Sequence, residues 1–460
     1  MSALEVSVLL SMVLLVLVVT GMRVAFATAL IGMVGLLAYF MMEKGMGFER
    51  AFTVTLKLAG QVPHSKTASH VLGLIPVFIL IGYLAYFAGM TRTLFEAAKR
   101  WFGWLPGGMA VATVSATAGF AAVSGASVAT SAVFARVAIP EMLALGYNKR
   151  FAAGVVAAGG TLASLIPPSA ILVIYAIITE SSVGRLLLAG FLPGMVSALI
   201  YMVMIMGMAK INPSLGPPRG GYSWGERLQS LPGAAPIMFV VFIIIYCIYF
   251  GWGTPTEAGA LGAFVVFLVA VAKGMRVKQL GQALLESAKL TAMIFTMIWG
   301  VLIFVRYLGF SGLPQSFAEF IGTLQQSPYL TLTLIIMAYV ILGMFMDAIG
   351  MLILTLPVTF PAVIALNGGP DVTAEASAFG LSGENCAIWF GIIVVKMAEL
   401  CLITPPIGLN CFVVAGVRPD ISAQDVFRGA SPYFVADVVT VATLIAFPAI
   451  TLWLPNLLVS

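Results

Sequence analysis

Charge is what this sequence has least of. Asp, Glu, Lys and Arg together make up 9% of its 460 residues, while 61% are hydrophobic. Soluble domains carry about a quarter charged residues, so no ordinary water-facing surface can be built from this chain and a bilayer is implied. Histidine is scarcer still. His64 and His70 have no ligand-spaced partner, which excludes the HExxH zinc motif. The four cysteines, Cys247, Cys386, Cys401 and Cys411, form no CxxC pair and read as small hydrophobes, neither disulfide partners nor transition-metal ligands. A net charge of +5 does not point to nucleic acid, because in such a chain the placement of basic residues matters more than their sum. The opening apolar run from Val6 to Thr20 has no basic segment ahead of it and leads directly into a second run, so it reads as a first spanning helix and not a cleaved signal.

What the chain does have is long apolar runs. A spanning helix needs about 20 apolar residues, and ten runs qualify, near 5–21, 23–42, 70–90, 150–179, 185–210, 234–252, 255–273, 284–306, 387–416 and 431–455. Two further stretches, 107–140 and 328–366, are interrupted near the middle, at Ser124 to Ser127 and at Asp347 to Gly350. A turn facing lipid leaves backbone groups unpaired, so such breaks survive only inside protein or beside water; both stretches are expected to be re-entrant hairpins. Pro167 and Pro168 interrupt one span, and Pro405 and Pro406 another. Paired prolines remove two backbone donors and disfavour the helical conformation before them, so both spans are expected to unwind there.

The features recur in the same order in both halves. From Arg23 to Pro167 is 144 residues, and from Thr256 to Pro405 is 149. Five spans per half is an odd number, so the second copy must enter from the opposite side: an inverted repeat, as in many secondary transporters. The expected division is a first repeat over 1–211, a polar linker over 212–233 ending at Pro232 and Gly233, and a second repeat over 234–460. Fifteen basic residues, Arg219 among them, fall on one side of this topology and six on the other. That places the fifteen in the cytoplasm and both termini in the periplasm. Stretches 43–66, 91–105, 275–290 and 311–326 mix charge with Trp, Phe and Leu at helical spacing, as interfacial arms bracing the hairpins would.

Unwound backbone at the midplane offers bare carbonyls to cations, and half-helix N-termini offer donors to anions. The first break gathers Ser124, Gly125, Ala126, Ser127 and Thr130 with Gly159, Gly160, Thr161, Ser164 and Ser169. The second gathers Asp347, Gly350, Thr404, Gly408 and Asn410. Small residues also permit close helix packing, which is the alternative for any one of them. Asp347 is the sharpest candidate, since an ionisable group at a hairpin turn inside the bilayer is costly; the alternative is snorkelling to water. Lys396 and Glu399, three apart, are expected to pair with each other, the alternative being a substrate role. Glu257 fits a helix cap as well as a functional role, and Arg306 reads as a snorkelling interfacial residue, the alternative being to meet an anionic substrate.

The segments AAVSGASVATSAVFARVAIPEM (121–142), YNKRFAAGVVAAGGTLASLIPPSAI (147–171), GTPTEAGALGA (253–263), MDAIGMLILTLP (346–357) and AELCLITPPIGLN (398–410) resemble the large membrane subunit of tripartite ATP-independent periplasmic (TRAP) transporters along essentially the whole chain. The resemblance implies an all-α polytopic inner-membrane permease. It would move by an elevator mechanism, importing a small organic anion of carboxylate type together with Na+. Its partners would be a small four-helix membrane subunit and a periplasmic substrate-binding protein. Sodium sites are implied where Ser124 to Ser127 meet Gly159 to Thr161, and where the Asp347 to Gly350 tip meets Thr404 to Gly408. The chain departs from the family pattern at Arg23, where proline is usual, and at Gly159 and Gly160, where serines are common, leaving carbonyls as the oxygens there. The rival readings are a stand-alone sodium–anion symporter, a passive channel and an intramembrane enzyme using Ser124 and Asp347.

Overall fold

The computed structural model describes residues 3–67, 72–217, 220–323 and 326–457, and its regular structure is helical. His70, Arg219 and the first residues of the run at 70–90 lie outside the described residues, as do the side chains of His64 and Lys66. The first half contains α1 (Ala3–Val19), α2 (Val24–Met42), α3 (Phe48–Thr67), α4 (Leu74–Phe87), α5 (Met90–Phe102), α6 (Gly108–Ser124), α7 (Ser127–Ala144), α8 (Lys149–Thr161), α9 (Ala170–Thr179) and α10 (Val183–Ile211). The second contains α11 (Trp224–Tyr249), α12 (Pro255–Ala272), α13 (Val277–Ser311), α14 (Leu313–Thr323), α15 (Pro328–Gly343), α16 (Ala348–Asn367), α17 (Gly383–Cys401), α18 (Leu409–Val417), α19 (Ala423–Ala446) and α20 (Ala449–Asn456). Among the described residues eight helices are long and apolar enough to cross a bilayer. A ninth span results if α4 and α5, bent by 71°, count as one.

Several boundaries differ from the sequence expectation. The helix expected from residue 234 begins at Trp224, because Ser223 and Glu226 form a capping box that starts it ten residues early; Pro232 and Pro236 lie inside it. The expected arm at 275–290 is not a separate element. It runs on into the following span as the 35-residue α13, since nothing between them breaks a helix. The run at 70–90 yields only the 14-residue α4, which turns into α5 at Gly89 in the left-handed conformation. The last run splits at Phe447 and Pro448 into α19 and α20. Of the other arms, α5 packs on α6 and α14 on α16, each against a hairpin, whereas α3, the arm expected at 43–66, packs on α2 and α13 and braces no hairpin.

The two halves interlock. Outer helices pair across them, α2 with α13, α4 with α12 and α5 with α11, while α8 of the first half packs on α19 of the second. Large apolar side chains on α1, α11, α12 and α15, such as Val16, Phe242, Phe264 and Ile341, remain exposed. A patch of that extent would aggregate in water and suits lipid. By contrast α8 and α17 are buried almost all round; the first Pro-Pro break is buried with them, whereas Pro405, Pro406 and Ile407 of the second are exposed.

Candidate functional site

The first hairpin turns where α6 ends at Ser124, Gly125 adopts φ 57° and Ala126 is extended before α7 starts at Ser127. Gly125 is needed twice over. Its left-handed backbone suits glycine, and a Cβ there would lie 2.5 Å from the Pro168 carbonyl oxygen. The hairpin tip therefore rests directly on the first Pro-Pro break. There α8 ends in a short 3-10 turn, Leu162–Ser164, and α9 restarts after Ser169, which caps it by accepting from Leu172 N at 3.3 Å. The Ser169 hydroxyl donates to Ser164 O at 2.5 Å, so it stitches the break shut.

The polar side chains expected at this break fall into separate contacts: Ser124 with Thr130, Ser127 with Ser164, and Thr161 with Tyr201. The Ser124 and Thr130 hydroxyls are 2.7 Å apart. The Ser127 hydroxyl lies 2.7 Å from that of Ser164 and donates to Glu399 Oε2 at 2.7 Å. A Cβ on Gly160 would lie 2.9 Å from Ser127 O, so the glycine lets α8 approach α7 closely. Thr161 donates to Ala158 O at 2.7 Å and lies 3.1 Å from the Tyr201 hydroxyl, which donates to Asp437 Oδ1 at 2.6 Å.

Lys396 corrects an expectation. It does not pair with Glu399 along α17 but crosses to Asp437 at 2.6 Å and donates to Ser197 at 2.9 Å. Lys396, Glu399 and Asp437 all have no exposed surface. Asp437 and Tyr201 are functional candidates the sequence reading missed. A lone Asp inside the apolar run 431–455 was the available signal, by the same rule that singled out Asp347.

In the second half the tip sits at Met344 to Asp347, slightly before the expected position, and Asp347 caps α16 by accepting from Gly350 N at 3.2 Å. Ile407 N donates to Met344 O at 3.3 Å, so this tip also meets its Pro-Pro break. Asp347 is half-buried. Thr404 donates to Leu400 O at 2.7 Å, and Gly408, at φ 40°, precedes α18. Among the described residues no hydrogen bond joins Asp347 to Thr404, Gly408 or Asn410. Asn410 reaches instead into the first half, donating to Ala157 O at 3.1 Å.

Two other expectations resolve. Glu257 closes a capping box with Thr254, accepting from Thr254 N at 2.7 Å. Arg306, expected to snorkel, donates to Leu58 O at 3.0 Å and ties α13 to α3. Beside the first tip lies a cavity of about 510 Å3 whose lining includes Tyr83, Ser124, Ala126, Arg136, Gln282 and Glu286. Hydroxyl, carbonyl and carboxylate oxygens are hard donors of the kind that hold alkali and alkaline-earth cations. The cavity is within the size range of small-ligand sites.

Comparisons with known proteins agree with this geometry. The profile of the family described as "Tripartite ATP-independent periplasmic transporter, DctM component" matches residues 11–450. The C4-dicarboxylate TRAP transporter large permease protein DctM of Pseudomonas aeruginosa is 36% identical over 384 residues, which cover 83% of this chain and 85% of that protein. The isethionate TRAP transporter permease protein DctMQ of Oleidesulfovibrio alaskensis is 30% identical over 382 residues, covering 81% of this chain and 57% of the longer relative. Among solved structures, the Alcanivorax borkumensis YdaH transporter superposes with a TM-score of 0.57 at 13% identity, over 87% of this chain and 90% of that one, a likeness of fold alone. A polytopic helical chain with two hairpins meeting two proline breaks, matched over nearly its whole length, belongs to the DctM family of TRAP transporter large permeases; it is a transporter component and not an enzyme.

Proposed function

We propose that this permease performs secondary active import of a small organic anion of carboxylate type, coupled to Na+, by an elevator movement. The solute would be handed over by a periplasmic binding protein, and a small four-helix membrane subunit would complete the assembly. The observation that carries the reading is that each hairpin tip meets a Pro-Pro break. Gly125 packs on Pro168 and Met344 O accepts from Ile407 N, so in each half a hairpin tip is paired with unwound backbone. Residues Ser124, Gly125, Ala126, Ser127, Gly159, Gly160 and Thr161 form the proposed first ion site, and Asp347, Gly350, Thr404 and Gly408 the second. Asn410 is reassigned to the first by its bond to Ala157 O. When bound, sodium would supply positive charge at these tips and make closure over an anionic solute favourable. The solute would occupy the cavity beside Ser124 and Ala126, which Arg136 borders.

The topology proposed is ten spans and two hairpins in a multi-pass protein of the bacterial inner membrane, with both termini periplasmic. The repeats are 1–211 and 224–460, since α11 begins at Trp224 and shortens the connecting stretch to 212–223. The test is uptake by proteoliposomes holding this chain, its small subunit and a loaded binding protein. An inward sodium gradient should drive saturable accumulation, and its dissipation should stop it. Uptake by this chain without a binding protein would favour a stand-alone symporter, and flux without saturation would favour a channel.

A further inference from the structure

Glu399 lies in the middle of the central helix α17 with no exposed surface. Its Oε2 accepts the Ser127 hydroxyl at 2.7 Å, which itself lies 2.7 Å from Ser164 Oγ. Among the described residues its Oε1 has no hydrogen-bond partner. Lys396, one turn away and the obvious counter-ion, is committed to Asp437 at 2.6 Å and to Ser197 at 2.9 Å. The positive and negative charges of Lys396 and Asp437 cancel, and Glu399 is left over. An isolated carboxylate out of water is too costly to stand unmatched, so a cation must be held against it whenever it is ionised.

We propose that Glu399 supplies the fixed negative charge of the cation site at the first hairpin tip, with Oε1 the oxygen presented to the ion. The proposal rests on the sodium-coupled reading above and assigns that site its counter-charge. The surrounding ligands are neutral: the hydroxyls of Ser127 and Ser164 and the carbonyls where α6 and α8 end. Helix C-termini carry partial negative charge, which adds to the attraction. A second unpartnered oxygen points the same way. Asn410 Oδ1 is wholly buried and has no hydrogen bond among the described residues, while Asn410 Nδ2 is anchored on Ala157 O, one turn before Thr161. Both orphan oxygens come from the second half of the chain and are tethered to the ion cluster of the first. Cation binding at this tip is therefore a joint act of both halves, and locks α17 and α18 onto the first hairpin.

The experiment measures thermal stability of the complete membrane complex in lipid nanodiscs, titrated with sodium chloride against choline chloride. The unmodified complex should be stabilised by sodium. Glu399→Gln keeps an acceptor for Ser127 and should keep its size-exclusion profile, with a melting temperature in choline no lower than that of the unmodified complex. Its half-saturating sodium concentration should rise by about tenfold or more. A folded Gln variant with the unmodified half-saturation overturns the proposal while leaving sodium coupling intact. Should the Gln variant fail to fold, Glu399→Asp retains the charge but withdraws it. A half-saturation raised by a factor of about two to ten then supports the proposal, and an unchanged one overturns it. If lithium or potassium, and not sodium, stabilises the unmodified complex but not the Gln variant, the charge assignment stands and the sodium reading falls. An unmodified complex indifferent to all three ions overturns both.

Discussion

Asp347 does two things that a pair of substitutions separates. Its carboxylate caps α16 through Gly350 N, and it places an acidic group at the second hairpin tip. Asp347→Ala removes both, and should cost about 1 kcal/mol of stability through the cap while uptake falls by at least about tenfold. Asp347→Asn restores the cap, since Asn caps as well as Asp, so melting temperature should recover; uptake that stays low assigns the charge to transport, and unchanged uptake in either variant removes Asp347 from the site. Lys396 and Asp437 offer a second separation. Lys396→Met alone strands a buried carboxylate and should destabilise by about 3–5 kcal/mol. Adding Asp437→Leu removes the stranded charge, so the melting temperature of the double variant should return most of the way to that of the parent. A double variant no more stable than the single one would show that the pair does not act as a unit.

At the scale of elements, the hairpin tips are decided by two or three residues each, because a turn in a bilayer must hide its backbone. Gly125 turns the first one with a left-handed backbone pressed on Pro168 O. Gly125→Ala should therefore lower the melting temperature, with about 1–2 kcal/mol from the backbone conformation alone, and reduce uptake because the tip moves off the break. Wild-type stability in this variant would mean that tip and break do not touch. The capping boxes Ser223–Glu226 and Thr254–Glu257 set where α11 and α12 begin. In the sequence Pro232 and Gly233 are the stronger boundary signal and mask the first of these boxes. A proline inside a buried or lipid-facing helix is tolerated when neighbours satisfy the freed carbonyl, and composition cannot report that.

For the whole molecule, the proposed inverted repeat makes a topological claim that accessibility can check. In a cysteine-free background, single cysteines at Lys44 and at Lys278, in the complete complex in oriented vesicles, should react with a membrane-impermeant maleimide from opposite sides, Lys44→Cys from the periplasmic side. Labelling of both from one side would abolish the odd-span topology. The outer pairings of α2 with α13, α4 with α12 and α5 with α11 interlock the two halves, so neither half is expected to be stable without the other. Coexpressing 1–211 and 224–460 as separate chains should recover a complex that neither forms alone.

The membrane class, the two hairpins, the two proline breaks and the family were all legible in the sequence. Each is a local consequence of the solvent: lipid demands long apolar runs, and any departure from a helix at depth must be marked by glycine, proline or a small polar residue. Partnership across the chain was not legible. Lys396 and Glu399 are three residues apart and look like a pair, yet Lys396 is bound to Asp437 and Glu399 to Ser127, 272 residues away. Asn410 belongs by position to the second break and by contact to the first. Helical spacing says which side chains share a face, whereas the choice of ion partner in a dry interior depends on which other helix is brought within about 3 Å, and only the packing of the two interlocked halves decides that.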